Sequence, residues 1–381
     1  MSDAKFNINK LSQDDNLNDS AYFFKYMKVD DVSGSQFKQL EEMLSDSALP
    51  ICTKGHEFNQ WIILKQILTH KMIYLGRYTY LNDPFECVAN IDYTTGVSDE
   101  ILAKYHAVAA HEIAKNAPQH QLTLAQLKEE VSRYKREGMS HFYHPALVSS
   151  NPLPFGIYSL CEDPDNSEMW SYYGGGHSGV CIIFKIDRAA IISELKKRHI
   201  TESVDSIKNI INDPGFRFEY SDKNGDIVRF GLQKVCYSPI VVNYPANQFM
   251  MAHYEQSWAD DFSWLLTSSK AIGSKSEVEW RLTAFNRYSE SNEDLLPLNV
   301  FDFFKPCGIV LGSSMNQNIK NLIKKFYGQS YPIFELAPTL SNGVISYSLA
   351  PKKAYIISAL NSDVAIGNNH KNKDIKSIVI S

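Results

Sequence analysis

Two short apolar runs constrain the fold of this chain most. Residues 179–185 read Gly-Val-Cys-Ile-Ile-Phe-Lys, and residues 308–312 read Gly-Ile-Val-Leu-Gly. Runs of this length without polar alternation are typical of strands that are buried on both faces. Because a buried strand needs cover, we expect a central sheet with helices packed against it.

The remaining segments mix helix and strand patterns without a strict β-α repeat. The spacing of Trp61, Leu64 and Leu68 predicts an amphipathic helix over residues 58–68. Further helices are predicted over residues 167–173, 187–199, 203–211, 247–267 and 315–326, and further strands over residues 21–28, 71–78, 157–162, 235–237, 268–282, 332–336 and 354–358. This mixture predicts the α+β class, with a mixed, largely antiparallel central sheet, flanking helices and a helical insertion.

The chain length of 381 residues permits one elaborated domain or two ordinary ones. Polar residues dominate residues 1–20, which we expect to be a flexible lead-in. We expect residues 21–340 to form a single α+β domain and residues 341–381 to form a C-terminal extension.

A two-helix insertion is predicted at about residues 98–145. Ser98 and Thr123 are candidate helix caps, and Pro118 breaks the helical pattern between them. The insertion carries histidines that lack the spacing of helical metal ligands, so we do not expect a metal site there.

Composition limits the classes of partner. The formal net charge of −5 argues against a phosphate-binding surface that covers the whole chain. The six cysteines are far apart and form no Cys-x-x-Cys pair, which is typical of reduced thiols in a cytoplasmic protein. No stretch approaches the length of a membrane span, and the N-terminus lacks the apolar core of a signal peptide. We therefore expect a cytoplasmic protein without a membrane partner.

The stretch of residues 268–282 carries two acids where a core strand avoids them. Read as one strand, it places Glu277 and Glu279 on the same face, about 7 Å apart. Arg281 follows on that face as a candidate counter-charge. The alternative interpretation is a half-exposed edge strand whose acids pair with Arg281 and Lys275.

Four segments together resemble a widespread bacterial family that is described only as a domain of unknown function. They are Leu81-Asn-Asp-Pro-Phe-Glu86, residues 168–184 with Glu-Met-Trp-Ser-Tyr-Tyr, Lys270 with Glu277-Val-Glu-Trp-Arg281, and residues 308–312. The resemblance covers roughly residues 22 to 325. This chain has Ser274 and Ser276 where the family usually has aromatic residues before the acids.

The N-terminal half of that pattern also looks like the first half of NAD-dependent ADP-ribosyltransferases, which complete their site with a late glutamate, often in a Glu-x-Glu pair. This resemblance implies that NAD is the substrate, with an unknown acceptor, and that the catalytic residues are Glu279, Glu277 and Arg77. It implies nucleotide-binding roles for Lys25, Tyr26, Tyr74, Tyr80, Asn82 and Asp83. Proteins of this kind often act as toxins or in phage defence.

The implied chemistry suits these residue types. Cleavage of the nicotinamide–ribose bond creates an oxocarbenium-like centre, which a nearby carboxylate stabilises. We assign that role to Glu279, with Glu277 orienting or activating the acceptor. Arg77 or Lys25 would hold the pyrophosphate, and the tyrosines would stack on nicotinamide or adenine.

Two other classes of function stay open at this point. One is a non-catalytic nucleotide- or peptide-binding module in which Glu277 and Glu279 are structural. The other is a metal-dependent hydrolase built on Asp83, Glu86, Glu277 and Glu279.

Overall fold

Helices and strands alternate irregularly along the chain, over the residues that the computed structural model describes: 20–32, 34–48, 58–77, 81, 86–94, 96–116, 122–143, 155–187, 216–221, 227–238, 241–252, 256–286, 295–299, 304–341 and 344–350. The helices are α1 (Ser35–Ser45), α2 (Asn59–His70), α3 (Asp99–Asn116), α4 (Leu124–Glu137), α5 (Ser167–Tyr172), α6 (Ala246–Met251), α7 (Gln256–Thr267) and α8 (Gln317–Tyr327). A 3₁₀ helix covers Ile272–Glu277.

The strands are β1 (Ser20–Met27), β2 (Met72–Arg77), β3 (Ala89–Asp92), β4 (Ser140–Tyr143), β5 (Phe155–Cys161), β6 (Val180–Asp187), β7 (Phe216–Ser221), β8 (Ile227–Lys234), β9 (Cys236–Ser238), β10 (Val242–Pro245), β11 (Ser269–Ala271), β12 (Glu279–Asn286), β13 (Leu295–Asn299), β14 (Phe304–Leu311), β15 (Ile333–Ser341) and β16 (Val344–Ala350).

A mixed sheet of eleven strands organises the fold. Nine strands follow the order β16-β15-β14-β6-β1-β5-β12-β8-β7, while β2 pairs with β5 and with β13. Among the described pairings of this sheet, β14 with β15 is parallel and the others are antiparallel. Two smaller sheets, β10-β3-β4 and β11-β9, complete the arrangement. The architecture confirms the predicted α+β class.

Both faces of the central strands are covered, as the apolar run in β6 predicts. On one face, Ile182 and Phe184 pack in an apolar cluster with residues of α1, α2 and α8. On the other face, Cys181 and Ile183 pack with Trp170 of α5. A third apolar cluster, further along this second face, joins β3 and β10 to α6 and α7.

The sheet divides at β5. Strand β2 pairs with β5 at Gly156 and Ile157, whereas β1 pairs with it at Cys161. Lys25 of β1 donates a hydrogen bond from Nζ to the carbonyl oxygen of Ser159, at 3.0 Å. A side chain of β1 therefore contacts β5 at the point where the two branches separate.

The prediction of one strand over residues 268–282 is wrong. The chain forms β11, then the 3₁₀ helix, and enters β12 at Glu279. The edge-strand alternative is also wrong, because β12 lies between β5 and β8 and Glu279 is buried, with 2 % of its surface exposed. Lys275 is exposed, and Lys270 is the lysine that pairs with the acids, whereas the expected pair of Glu279 with Arg281 is present.

Other boundaries differ in smaller ways. The single long helix predicted over residues 247–267 is two helices, α6 and α7. The insertion contains the two expected helices, with Thr123 capping α4, but ends in the strand β4. Strand β16 pairs with β15, so the segment expected as an extension beyond residue 340 begins within a hairpin of the central sheet. The predicted elements over residues 187–199, 203–211 and 354–358 fall outside the described residues, except for Asp187 at the end of β6.

None of the helices formed by the described residues has both the length and the apolar character required to cross a membrane.

Candidate functional site

Five charged side chains from two distant parts of the chain meet on the second face of the sheet. They are Glu86, Lys270, Glu277, Glu279 and Arg281, which we call the charge network. Glu86 precedes β3, Lys270 lies in β11, Glu277 ends the 3₁₀ helix, and the other two lie in β12. The network thus joins Glu86 of one segment quoted for the resemblance to four residues of another.

Arg281 binds two carboxylates and a carbonyl. Its Nε donates to Glu279 Oε1 at 2.9 Å, and its Nη2 donates to Glu86 Oε2. Its Nη1 donates to the carbonyl oxygen of Thr267 at 2.8 Å, where α7 ends. The planar guanidinium is suited to this arrangement because it presents several donors in a fixed geometry.

Lys270 lies among all three acids. Its Nζ is 2.7 Å from Glu277 Oε2, 2.9 Å from Glu86 Oε1 and 3.2 Å from Glu279 Oε2. An ammonium group has three protons to donate, so Lys270 can satisfy one oxygen of each carboxylate. Both oxygens of Glu279 and both oxygens of Glu86 are consequently bound to cations.

The members of the network differ in their access to solvent. The side chains of Lys270, Glu86, Glu279 and Arg281 are at most 4 % exposed, whereas the side chain of Glu277 is 13 % exposed. Glu277 is therefore the carboxylate of the network that reaches furthest towards solvent.

Burial and ion pairing shift the pKa values of these groups. Burial alone would raise the pKa of Glu279, but the charges of Arg281 and Lys270 outweigh it and lower this pKa to about 2. Burial opposes the charged form of Lys270, yet Glu279 and Glu86 raise its pKa above the usual value. The pKa of Glu277 is raised, because burial outweighs the hydrogen bond from Lys270.

Two strained backbone positions adjoin the network. Val278, between the two acids, has φ of 46°, and Cys87, directly after Glu86, has φ of 59°. Positive φ is rare for residues with a side chain, and it is a genuine outlier for a β-branched one. The turn at Val278 ends the 3₁₀ helix and starts β12, so both Glu277 and Glu279 reach Lys270 instead of standing side by side along one strand.

Neighbouring elements hold the solvent side of the network. Tyr237 of β9 is the register partner of Lys270 in β11, and its hydroxyl accepts a hydrogen bond from the backbone N–H of Glu279 at 2.8 Å. Ser276 of the 3₁₀ helix donates to Glu168 of α5, and its carbonyl oxygen accepts from the side chain of Asn166. These contacts fix the segment that carries Glu277.

No protein-family model, curated protein or solved structure matches this chain.

Lys25 lies close to the network, whereas Tyr26 and Tyr74 have partners elsewhere. Loss of hydration lowers the pKa of Lys25 to about 8, and the nearby charge of Glu279 opposes that shift. Tyr26 is buried and donates its O–H to the carbonyl oxygen of Asp163, in the turn that precedes α5. The hydroxyl of Tyr74 accepts a hydrogen bond from Gln66 of α2 at 2.8 Å.

The strand pairing with β5 places the backbone of Arg77 far from that of Glu279. Arg77 pairs with Gly156 of β5, and Glu279 pairs with Cys161 of the same strand. Five residues of strand span about 16 Å. Tyr80, Asn82 and Asp83, together with the side chain of Arg77, fall outside the described residues.

The sequence interpretation did not include Lys270 or Glu86 among the catalytic and nucleotide-binding residues, and it did not single out Tyr237. Lys270 and Glu86 belong to the segments that carry the family resemblance, and that association was the available signal. Tyr237 carried no such signal, because its place beside Lys270 follows from the pairing of β9 with β11.

Three of the four acids named for the metal-dependent hydrolase surround Lys270, and the fourth, Asp83, falls outside the described residues. Lys270 occupies the position between the three acids that a cation bridging them would need. Within the described ranges, no group of three or more His, Cys, Asp or Glu side chains is arranged to hold a metal ion.

A groove of about 390 Å³ lies between α1 and α8, lined by residues that include Phe37, Asn318 and Leu322. These helices cover the first face of the sheet, so the groove and the charge network are on opposite faces.

Proposed function

We propose that this chain is an ADP-ribosyltransferase-like enzyme that uses NAD, and that Glu277 is the carboxylate that contacts the substrate. The observation that carries the proposal is the position of Glu277 at the solvent side of a network whose other members are buried. The resemblance of the sequence segments supplies the reaction class.

In this proposal Glu279 is a positioning residue, which changes the role that the resemblance implied. Both of its carboxylate oxygens are bound to Arg281 or Lys270, and its side chain is 3 % exposed. A substrate group that bound to Glu279 would have to displace Arg281 or Lys270 and so break a buried ion pair, at a cost of several kcal/mol.

The chemistry assigns each group a task. The bond between the nicotinamide nitrogen and the ribose carbon breaks, and its electron pair leaves with nicotinamide. Ionised Glu277 stabilises the positive charge that develops on the ribose, and it then takes the proton that the acceptor loses as it bonds to the same carbon. The raised pKa of Glu277 makes it a better base than an ordinary glutamate. Lys25 would hold the pyrophosphate, as the resemblance implies.

The decisive experiment measures nicotinamide released from NAD by the wild type and by three variants. Glu277→Gln should lower the rate about 10²- to 10⁴-fold without loss of fold. Glu279→Gln should lower the rate and the melting temperature together, because Arg281 and Lys270 lose a charged partner. Glu100→Gln, an exposed residue at the start of α3, is the matched control. Equal rates for Glu277→Gln and the wild type would remove Glu277 from the mechanism.

A second candidate function is the non-catalytic nucleotide- or peptide-binding module. Both carboxylate oxygens of Glu279 are already bound to cations, which favours this candidate. A carboxylate with no free oxygen can stabilise the fold but cannot contact a substrate. Binding of NAD without release of nicotinamide, in the wild type and in Glu277→Gln alike, is the result that this candidate predicts.

The biological setting is also part of the proposal. The acceptor, a role as a toxin or in phage defence, and a cytoplasmic location remain predictions from the sequence. Identification of the ADP-ribosylated product by mass spectrometry would test the acceptor directly.

A further inference from the structure

Two half-buried side chains lie at the solvent side of the charge network: Glu277, which belongs to it, and Tyr237, which lies beside it. Glu277 and Tyr237 are half-buried, whereas Glu86, Lys270, Glu279 and Arg281 are buried. The register of β9 with β11 places Tyr237 directly beside Lys270, and Lys270 binds Glu277 at 2.7 Å. A group that approaches Glu277 from solvent therefore also meets the phenol of Tyr237.

The hydrogen bonds of Tyr237 leave its proton available. The hydroxyl oxygen accepts from the backbone N–H of Glu279. No acceptor for the hydroxyl proton is found among the residues that the structure describes. Burial raises the pKa of Tyr237, so the phenol stays protonated and remains a donor. A hydrogen bond from a rigid strand fixes the oxygen, and the O–H is then free to donate towards a ligand.

Glu277 has the opposite capacity. Its Oε2 is bound to Lys270, and among the described residues Oε1 has no partner. An ionised carboxylate can only accept. The two groups thus present one acceptor and one donor, and Lys270 is the common neighbour of both.

We propose that Tyr237 and Glu277 together bind two neighbouring hydroxyl groups of a sugar ring, one hydroxyl donating to Glu277 and the other accepting from Tyr237. The inference rests on the proposed function and deepens it, because the ribose of NAD carries such a pair. It also sets the substrate class as sugars in which both hydroxyls are unmodified. A phosphate on either hydroxyl would remove that hydroxyl proton and bring negative charge towards Glu277. Tyr237 is then a specificity-determining residue.

The test uses the full chain and ADP-ribose, which presents the terminal ribose without requiring turnover. Calorimetry would measure the affinity of the wild type and of Tyr237→Phe for ADP-ribose and for its analogue in which the terminal ribose lacks one hydroxyl of the pair. Tyr172→Phe is the matched control, because Tyr172 is 75 % exposed on α5 and lies outside the network. Melting temperatures would show whether Tyr237→Phe stays folded.

We expect Tyr237→Phe to bind ADP-ribose about three- to ten-fold more weakly, as the loss of one hydrogen bond implies. The analogue that lacks the hydroxyl facing Tyr237 should lose a similar factor with the wild type and nothing further with the variant. Tyr172→Phe should match the wild type. The comparison of the two ligands on the wild type alone decides the matter if Tyr237→Phe does not fold.

Three outcomes would overturn the inference: no binding of ADP-ribose by the wild type, equal affinity of the wild type for ADP-ribose and for both single-hydroxyl analogues, or unchanged affinity in Tyr237→Phe. Nicotinamide release from NAD, measured in parallel, separates the two proposals. Binding that depends on Tyr237 without release upholds the inference and contradicts the enzyme. Release with an unaffected Tyr237→Phe upholds the enzyme and contradicts the inference.

Discussion

At the scale of single residues, Glu277 and Glu279 are neighbours whose pKa values move in opposite directions. Glu279 is held ionised by two cations, and its pKa falls to about 2. Burial raises the pKa of Glu277, which has one cationic partner. Two carboxylates with different proton affinities in one site can take different roles, one fixed as an anion and one able to exchange a proton.

The low pKa of Glu279 predicts a specific loss of stability in acid. A carboxyl with a lower pKa in the folded state than in the unfolded state stabilises the fold above its unfolded pKa, and this contribution disappears as the pH falls through the folded value. For a shift from 4.5 to about 2, the contribution is about 3 kcal/mol, lost between about pH 5 and pH 2. Urea unfolding at pH 6, 4 and 3 would measure it.

The control for this prediction is Glu279→Gln, which cannot titrate at that position. Its free energy of unfolding should be lower at pH 6 and should fall less steeply with acid than that of the wild type. Parallel pH profiles for the two proteins would show that Glu279 does not carry the effect. The raised pKa of Glu277 has the opposite effect on stability. It stabilises the fold at low pH, and this contribution is lost as the pH rises through the pKa of the folded state.

Arg281 gives the second prediction at this scale. Arg281→Met keeps most of the side-chain volume but leaves Glu86 and Glu279 with a single cation. Removal of one partner from a buried ion pair costs about 3–5 kcal/mol, so we expect a loss of that size in the free energy of unfolding. Arg133→Met, which removes an exposed pair with Glu130 on α4, should have a much smaller effect. Similar losses for both variants would contradict a special role for the buried network.

At the scale of elements, the junction between the 3₁₀ helix and β12 determines the geometry of the site. Val278 takes a left-handed conformation there, and its N–H bonds to the carbonyl of Lys275. Its own carbonyl oxygen accepts from the N–H of Glu162 at 3.3 Å. Contacts with distant elements therefore hold a backbone conformation that valine disfavours.

Substitution of Val278 tests this strain. The left-handed conformation costs a residue with a side chain roughly 1–2 kcal/mol, and glycine avoids that cost. We expect Val278→Gly to destabilise the protein about 1–2 kcal/mol less than Val97→Gly, since Val97 is another half-buried valine but has no positive φ. Chemical denaturation of both variants provides the comparison, and a larger loss for Val278→Gly would contradict the strain argument.

The sequence predicted the elements whose burial pattern is strong and local. Strand β6 is apolar on both faces, and α2 has a clear apolar stripe. Strands β3, β4 and β10 were missed, because each has four residues and its pairing partners are distant in the chain. The break at Val278 was also missed, since nothing in Glu-Val-Glu disfavours a strand and tertiary contacts select the turn.

The candidate site was predictable in part. The pairing of Arg281 with Glu279 follows from their spacing on one face of a strand, and the structure confirms it. The contribution of Glu86 to the same site depends on a contact across 195 residues, which spacing does not reveal. The position of Lys270 among three acids depends on the 3₁₀ helix, which turns the chain back towards β11.

At the scale of the whole molecule, the long sheet has a protected centre and peripheral strands. Strand β1, near the start of the described chain, lies between β6 and β5. Strands β7 and β16 lie at the two ends of the nine-strand order, and each pairs with one described neighbour. The three central strands thus come from the first half of the sequence, and β14 and β12 on either side of them come from the second half.

This topology predicts the order of amide hydrogen exchange. Amides of β1 and β6 should exchange only through global unfolding, whereas those of β7 and β16 should exchange earlier through local opening. Mass spectrometry of peptic fragments after exchange near neutral pH would measure both sets. Equal protection of β1 and β16 would contradict a stable centre with more labile margins.

The separation of 195 residues between Glu86 and Arg281 has a consequence for the route by which the chain reaches its fold. Closing so long a loop is slow, and the ion pair forms only when both ends have arrived. The apolar clusters of the described residues assemble from other contacts. A partly folded chain must therefore keep water around these five charges until the last of them is in place. We therefore infer that expulsion of this water is a late step of folding, and that substitutions in the network mainly accelerate unfolding and leave the folding rate nearly unchanged.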